Sequence, residues 1–229
     1  MGVHDGHRER MRNSFMEHGL ESFNEINALE LLLFYAKPRI DTNPLAHALL
    51  DRFGSLAEIF DASEEELCEV PGVGRNTAAL IKLVPEMMRK AEITRTSDIT
   101  QILNSREAEA YLKPRFMNER NEKVLVLYLD SQMKIIRCVE HARGDVNMVS
   151  INVRLIIEQA LKFKASYVIL AHNHPDGNTS ASGDDIAVTK TLMKSLQLVN
   201  IKLYDHFIVS ERHCLSMRSA GALATLNYF

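Results

Sequence analysis

Tyr167-Val168-Ile169-Leu170-Ala171-His172-Asn173-His174-Pro175-Asp176-Gly177-Asn178-Thr179-Ser180-Ala181-Ser182-Gly183-Asp184-Asp185 is the stretch that decides the fold. Its first five residues form a continuous apolar run, the pattern of a buried strand. Pro175 and Gly177 then make a rigid loop, and Ser182 is a good N-cap for a helix running from about Asp184 to Leu196. Working outward, a helical pattern from Asn152 to Lys164 precedes the strand, and Ile201-Lys202-Leu203-Tyr204 and Phe207-Ile208-Val209 follow the second helix as extended segments. Earlier still, Val124-Leu125-Val126-Leu127-Tyr128-Leu129 and Lys134-Ile135-Ile136-Arg137-Cys138-Val139 are expected as two strands joined by Asp130-Ser131-Gln132. Strands alternate with helices, so an α/β sandwich is expected for this part of the chain.

The first part has a different texture. From Phe15 to about Ala91 apolar residues recur at helical spacing, as in Leu29-Glu30-Leu31-Leu32-Leu33-Phe34, and extended patterns are missing. Breaks at Lys37-Pro38-Arg39, Phe53-Gly54-Ser55 and Pro71-Gly72-Val73-Gly74 divide it into an expected four or five short helices. The organisation expected is therefore a small all-helical domain over residues 1–91, a polar linker over 92–104, and an α/β domain over 105–229 that opens with a helix from Ser105 to Leu112.

Composition narrows the function classes. A chain of 229 residues that is 46% hydrophobic can build one or two cores. No apolar run approaches the roughly 20 residues that span a bilayer, and Met1 to His7 lack the apolar core of a signal peptide, so a cytoplasmic protein without a membrane partner is expected. Cys68, Cys138 and Cys214 lie far apart and form no CxxC pair, which argues against a thiolate zinc site or a disulfide framework and for buried free thiols. A formal net charge of −3 excludes a polycation built to coat nucleic acid, so any DNA contact must be local.

The chemistry-bearing residues cluster after the buried strand. Two histidines at i and i+2, His172 and His174, project to the same side, and both imidazoles can reach one ion at about 2.0 to 2.1 Å. Asp185 can complete the set from the next helix. Two histidines and one carboxylate leave a fourth tetrahedral position open to water, as a catalytic zinc requires and a structural zinc does not. The Ser182 hydroxyl, besides capping the helix, could donate to a developing oxyanion.

The pattern His172-x-His174-Pro175-x-Gly177-x4-Ser182-x2-Asp185 is similar to the signature of JAMM (MPN-type) zinc metalloproteases. With the N-terminal helices, the turn containing Gly144 and the run Asp205-His206-Phe207-Ile208, the chain resembles the bacterial RadC family over nearly its whole length. That resemblance implies a JAMM/MPN-like α/β sandwich of cytidine-deaminase-like architecture, one Zn2+ per chain on His172, His174 and Asp185, and a glutamate general base that is not itself a ligand. Glu122, at the head of the strand Val124 to Leu129, is the preferred base, and Glu119 is its rival within the charged run Asn118 to Lys123. The family often has Pro-Arg-Glu where this chain has Val153-Arg154-Leu155, and Pro-Ser-Gly where it has Pro175-Asp176-Gly177. Asp176 would disfavour an anionic substrate beside the metal loop. His206 is expected to pack or to support the site from behind, and the six other histidines show no ligand pattern.

In the helical part, Ser63-Glu64-Glu65-Glu66 is a capped helix start, and Val70-Pro71-Gly72-Val73-Gly74 leads into a helix opened by Arg75. This resembles a helix-hairpin-helix motif, in which Gly72 and Gly74 let the backbone approach a phosphate and Arg75 and the helix amides contact it without reading sequence. From Pro71 to Arg95, Arg75, Lys82, Arg89, Lys90 and Arg95 face only Glu86 and Glu92, but the acidic run from Asp61 to Glu69 would repel a duplex. A hairpin that merely packs two helices remains the alternative.

Three functions compete. The first is a zinc metallopeptidase or isopeptidase acting on a peptide or protein through an activated water and a glutamate base. The second is a metal-dependent nuclease in DNA repair, although His172-Asn173-His174 is no HNH nuclease motif, which spreads its residues over a hairpin and a helix. The third is a non-catalytic DNA-associated or protein-binding module that uses the metal for folding. The oligomeric state is left open by the sequence.

Overall fold

The computed structural model describes residues 3–144, 151–210 and 213–226. The chain divides into two compact units between Met88 and Arg89. Among the described residues no helix is long and apolar enough to cross a membrane.

The first unit contains α1 (Val3–His18), α2 (Glu25–Ala36), α3 (Asn43–Phe53), α4 (Leu56–Asp61), α5 (Glu64–Cys68) and most of α6 (Arg75–Arg95). Short polar side chains start several of them: the Asn24 carbonyl oxygen accepts from Asn27 N, Ser55 Oγ accepts from Glu58 N, and Ser63 forms a capping box with Glu66. Leu29, Leu33, Leu49, Ile59, Leu67 and Ile81 are fully buried and form the core.

Five helices, α2 to α6, start in the range where four or five were expected, and α1, almost wholly before that range, is too polar to announce itself by apolar spacing. One cation fixes it instead. Buried Arg8 donates to the carbonyls of Pro38 (2.7 Å), Lys37 (2.8 Å) and Ile40, and its guanidinium lies 4.6 Å from the centre of the Phe34 ring. These bonds satisfy carbonyls of the turn that follows α2. Arg8→Met is expected to destabilise the protein by about 2 to 3 kcal/mol, measured as a lower urea midpoint in far-UV circular dichroism.

The segment 92–104, expected as a linker, is structured. α6 continues to Arg95, Ile135 N donates to Thr100 O, and Ile102 N donates to Met133 O. Ile102 is fully buried with Leu112 and Leu127, so it belongs to the core of the second unit. The polar composition of 94–98 concealed an apolar pair, Ile99 and Ile102, that ties the segment down.

The second unit is built on β1 (Glu122–Leu129), β2 (Ile135–Gly144), β3 (Tyr167–Asn173), β4 (Lys202–Val209) and β5 (Cys214–Ser216). They form one sheet in the order β2-β1-β3-β4-β5, with β3 and β4 parallel and the other neighbours antiparallel. α8 (Val153–Lys162) and α9 (Gly183–Gln197) cover one face through Ile156, Ala160, Val188, Leu192 and Leu196. α7 (Ser105–Leu112) and the 3-10 turn after it cover the other through Ala108, Tyr111, Leu112 and Phe116. An N-terminal helical unit followed by an α/β sheet domain is thus the observed architecture.

β4 is one strand, not the two short segments expected around Asp205-His206. Both residues are fully buried in it, opposite Ile169 and Leu170. Asp205 tolerates this because its Oδ1 accepts from the amides of His206 (2.7 Å) and Arg218 (3.0 Å) and its Oδ2 accepts from Ser216 Oγ. The cysteines are free but half-buried, not fully buried as expected, and burial pushes the Cys214 thiol up to about 12.

Candidate metal centre

β3 and β4 are parallel and α9 connects them, so the carboxyl end of β3 meets the amino end of α9, where sheet proteins of this kind place their ligands. His172 is the penultimate residue of β3, and His174 follows it with its amide still bonded to Val209 O (2.8 Å). His172 Nε2 lies 2.8 Å from His174 Nε2 and 3.0 Å from Asp185 Oδ1, and His174 Nε2 lies 3.6 Å from Asp185 Oδ2. His172, His174 and Asp185 form a group that could hold a metal ion, each offering one ligand atom within 4.8 Å of the others. His172 and Asp185 are buried, while His174 is half-buried at the cleft.

Asp185 is placed by the helix start. Ser182 N and Ser182 Oγ both donate to Asp185 Oδ2 at 2.7 Å, and Ser182 Oγ accepts from Asp185 N at 3.1 Å, a reciprocal capping box. Oδ2 is therefore occupied, and buried Oδ1 has no hydrogen-bond partner. Burial alone would raise the carboxyl, but the neighbouring His172 imidazole and both donors of Ser182 outweigh it and hold the group well below the ordinary carboxylate range. His174 Nδ1 lies 2.7 Å from Asn178 O, which can only accept, so Nδ1 carries the proton and Nε2 presents a lone pair. An orphaned carboxylate oxygen and imidazole nitrogens converging on one point are the donor set that suits a divalent metal such as zinc.

Glu122 begins β1, and Val124 pairs directly with His172 across the antiparallel ladder. Residues two apart share a face, so Glu122 and His174 lie on the side that carries Val124 and His172. Glu122 lines a cleft of about 850 Å3 together with His174, Ser182 and Asp185. Glu119 is engaged elsewhere: its Oε1 accepts from Arg143 at 2.8 Å and its Oε2 is 3.4 Å from Lys123 Nζ.

Asn173, the residue between the two histidines, was assigned no role from sequence. Its buried amide faces away from them, accepts from Lys123 N (2.7 Å), and donates to Asn121 O (3.0 Å) and Glu119 O (3.3 Å). The segment bearing Glu122 is thereby clamped to the strand bearing the histidines.

In the first unit Gly72 has φ +93°, and an added Cβ would come within 3.4 Å of Leu45, so the hairpin requires glycine there. Gly74 instead starts α6, its carbonyl accepting from Thr77 N and Ala78 N. Arg75 is exposed and paired with Glu64 at 2.8 Å. Lys82 donates to the carbonyls of Phe60 (2.7 Å) and Ala62 (2.8 Å), and Arg95 pairs with Glu92. Arg75, Lys82 and Arg95, counted toward a DNA face, are thus engaged within the protein.

Residues 102–222 match the family model described as the RadC-like JAB domain. The chain belongs to the RadC family. Residues 44–84 match a second model, the SAM-like helix-hairpin-helix tandem. A UPF0758 protein of Fusobacterium nucleatum is 34% identical over 225 residues, covering 95% of this chain and 97% of that protein. A UPF0758 protein of Ruegeria pomeroyi is 34% identical over 218 residues, covering 95% and 97%.

The RadC-like JAB domain has a metalloprotease-related fold, and the His172, His174 and Asp185 group lies inside the matched range. The tandem extends the single hairpin expected from sequence, since residue 44 falls at the start of α3. Gly54, with φ +87° at the end of α3, supplies the turn between α3 and α4. In sequence Phe53-Gly54-Ser55 reads only as a helix break.

Proposed function

We propose that this RadC protein is a zinc-dependent hydrolase of peptide or isopeptide bonds, with His172, His174 and Asp185 as metal ligands and Glu122 as general base. The observation that supports it most is the unbonded Asp185 Oδ1, buried beside His172 Nε2 in a residue that borders the same cleft as Glu122. When bound, zinc supplies Lewis acidity that polarises a carbonyl or a water. Glu122 takes a proton from the attacking water as its oxygen adds to the scissile carbonyl, and returns that proton to the amine as the C–N bond breaks. Ser182 holds Asp185 through the capping box. Because its hydroxyl proton is committed to Asp185 Oδ2, the oxyanion role expected from sequence requires that bond to open first.

The helix-hairpin-helix tandem supports DNA as a partner of the first unit, through sequence-independent phosphate contacts at Gly72, Gly74 and Arg75. The Arg75 pair with Glu64 is exposed, and such pairs contribute only about 0 to 1 kcal/mol, so a phosphate can displace the glutamate. The test is incubation of the zinc-loaded full chain with peptide and isopeptide panels and with duplex and single-stranded DNA. New amine termini are expected. New DNA ends without new amines would replace this proposal with a nuclease.

A further inference from the structure

We propose that His206 and Thr189 fix the tautomer of His172 and so act as positioning residues for the metal centre, an inference that rests on the metal-binding proposal above. His206 on β4 pairs opposite Leu170, which puts it on the same sheet face as His172. It is fully buried, with Nε2 at 2.9 Å from His172 Nδ1 and Nδ1 at 2.6 Å from Thr189 Oγ1. Thr189, also fully buried on α9, bonds back to the carbonyl of Asp185, four residues earlier.

The order of protons follows from the end of this chain. A carbonyl can only accept, so the single proton of Thr189 goes to Asp185 O, and the other neighbour of that hydroxyl, Met217 Sδ at 3.8 Å, is a weak acceptor. Thr189 Oγ1 then accepts from His206 Nδ1. A neutral His206 protonated at Nδ1 has a lone pair at Nε2, which accepts from His172 Nδ1. His172 is left with an unprotonated Nε2, the atom that faces His174 and Asp185. The same helix thus supplies a ligand, Asp185, and through Thr189 the group that makes a second ligand competent.

Loss of the Thr189 hydroxyl removes the acceptor for His206 Nδ1–H. His206 then favours the Nε2–H form, which points a donor at His172 Nδ1 and drives the His172 proton onto Nε2, where it competes with the metal. Partners that orient a ligating histidine typically contribute 10- to 100-fold in affinity.

The test uses the full chain as wild type, Thr189→Val and Thr189→Ser. Zinc affinity is read by chelator competition, and the histidine tautomers of the zinc-loaded wild type are read by 15N nuclear magnetic resonance. Expected are His206 protonated at Nδ1 alone, about 10- to 100-fold weaker zinc binding in Thr189→Val, and recovery in Thr189→Ser. Wild type that binds zinc with His206 protonated at Nε2, or Thr189→Val that binds as tightly as wild type, overturns the relay alone. Wild type that binds no zinc overturns both this inference and the metal site. Circular dichroism of metal-free Thr189→Val checks its folding, and the tautomer measurement on wild type decides the case if that variant does not fold.

Discussion

Glu122→Gln is expected to keep full zinc uptake and to lower peptide or isopeptide hydrolysis by about 10^2- to 10^4-fold. The amide matches the carboxylate in size but cannot take a proton from water, so only the base is lost. Glu122 is suited to that role by position: it heads β1, shares the cleft with His174 and Asp185, and lies on the sheet face that carries His172. Glu119→Gln serves as the contrast. It loosens contacts to Arg143 and Lys123 while leaving the base in place, so its effect is expected mainly in stability. Turnover of one common substrate by wild type and both variants separates the two glutamates. Equal turnover by wild type and Glu122→Gln would remove Glu122 from the chemistry.

Asn173→Ala is expected to lower hydrolysis by about 10- to 100-fold, the scale on which misplacement of a catalytic group acts, with zinc still bound. The substitution deletes an amide that accepts from Lys123 N and donates to Asn121 O and Glu119 O, which are the bonds fixing the approach to Glu122. Leaving the buried Lys123 amide unpaired costs about 1 to 3 kcal/mol in addition. Hydrolysis assays and thermal unfolding read the two effects separately. If stability falls while turnover per folded molecule is unchanged, the clamp is structural and does not position the base.

Much of the second unit was legible because its elements announce themselves locally. The apolar run from Tyr167 to Ala171, the Pro175 and Gly177 loop and the Ser182 cap each carry a signal in sequence, and together they fix which strand and helix present His172, His174 and Asp185. Residues whose role depends on distant partners were not legible in this way. Asn173 reads as a spacer until the chain fold brings residues 119–123 beside it, and Thr189 as an ordinary helical residue until β4 brings His206 to it. Arg8 is another such case, since a polar helix gives no sign that its arginine will be buried under the end of α2. In the hairpin, composition counted Lys82 as a basic contact, whereas the fold uses its ammonium to satisfy the last carbonyls of α4.

The most direct test of the central claim is the zinc content of purified wild type beside His172→Ala, Asp185→Ala and Glu122→Gln, measured by elemental analysis after loading with zinc and removal of the excess. About one zinc per chain is expected in wild type and Glu122→Gln, and background levels in His172→Ala and Asp185→Ala. Wild type at background after loading, or Asp185→Ala that retains a full complement, would contradict the metal site on which the proposed chemistry depends.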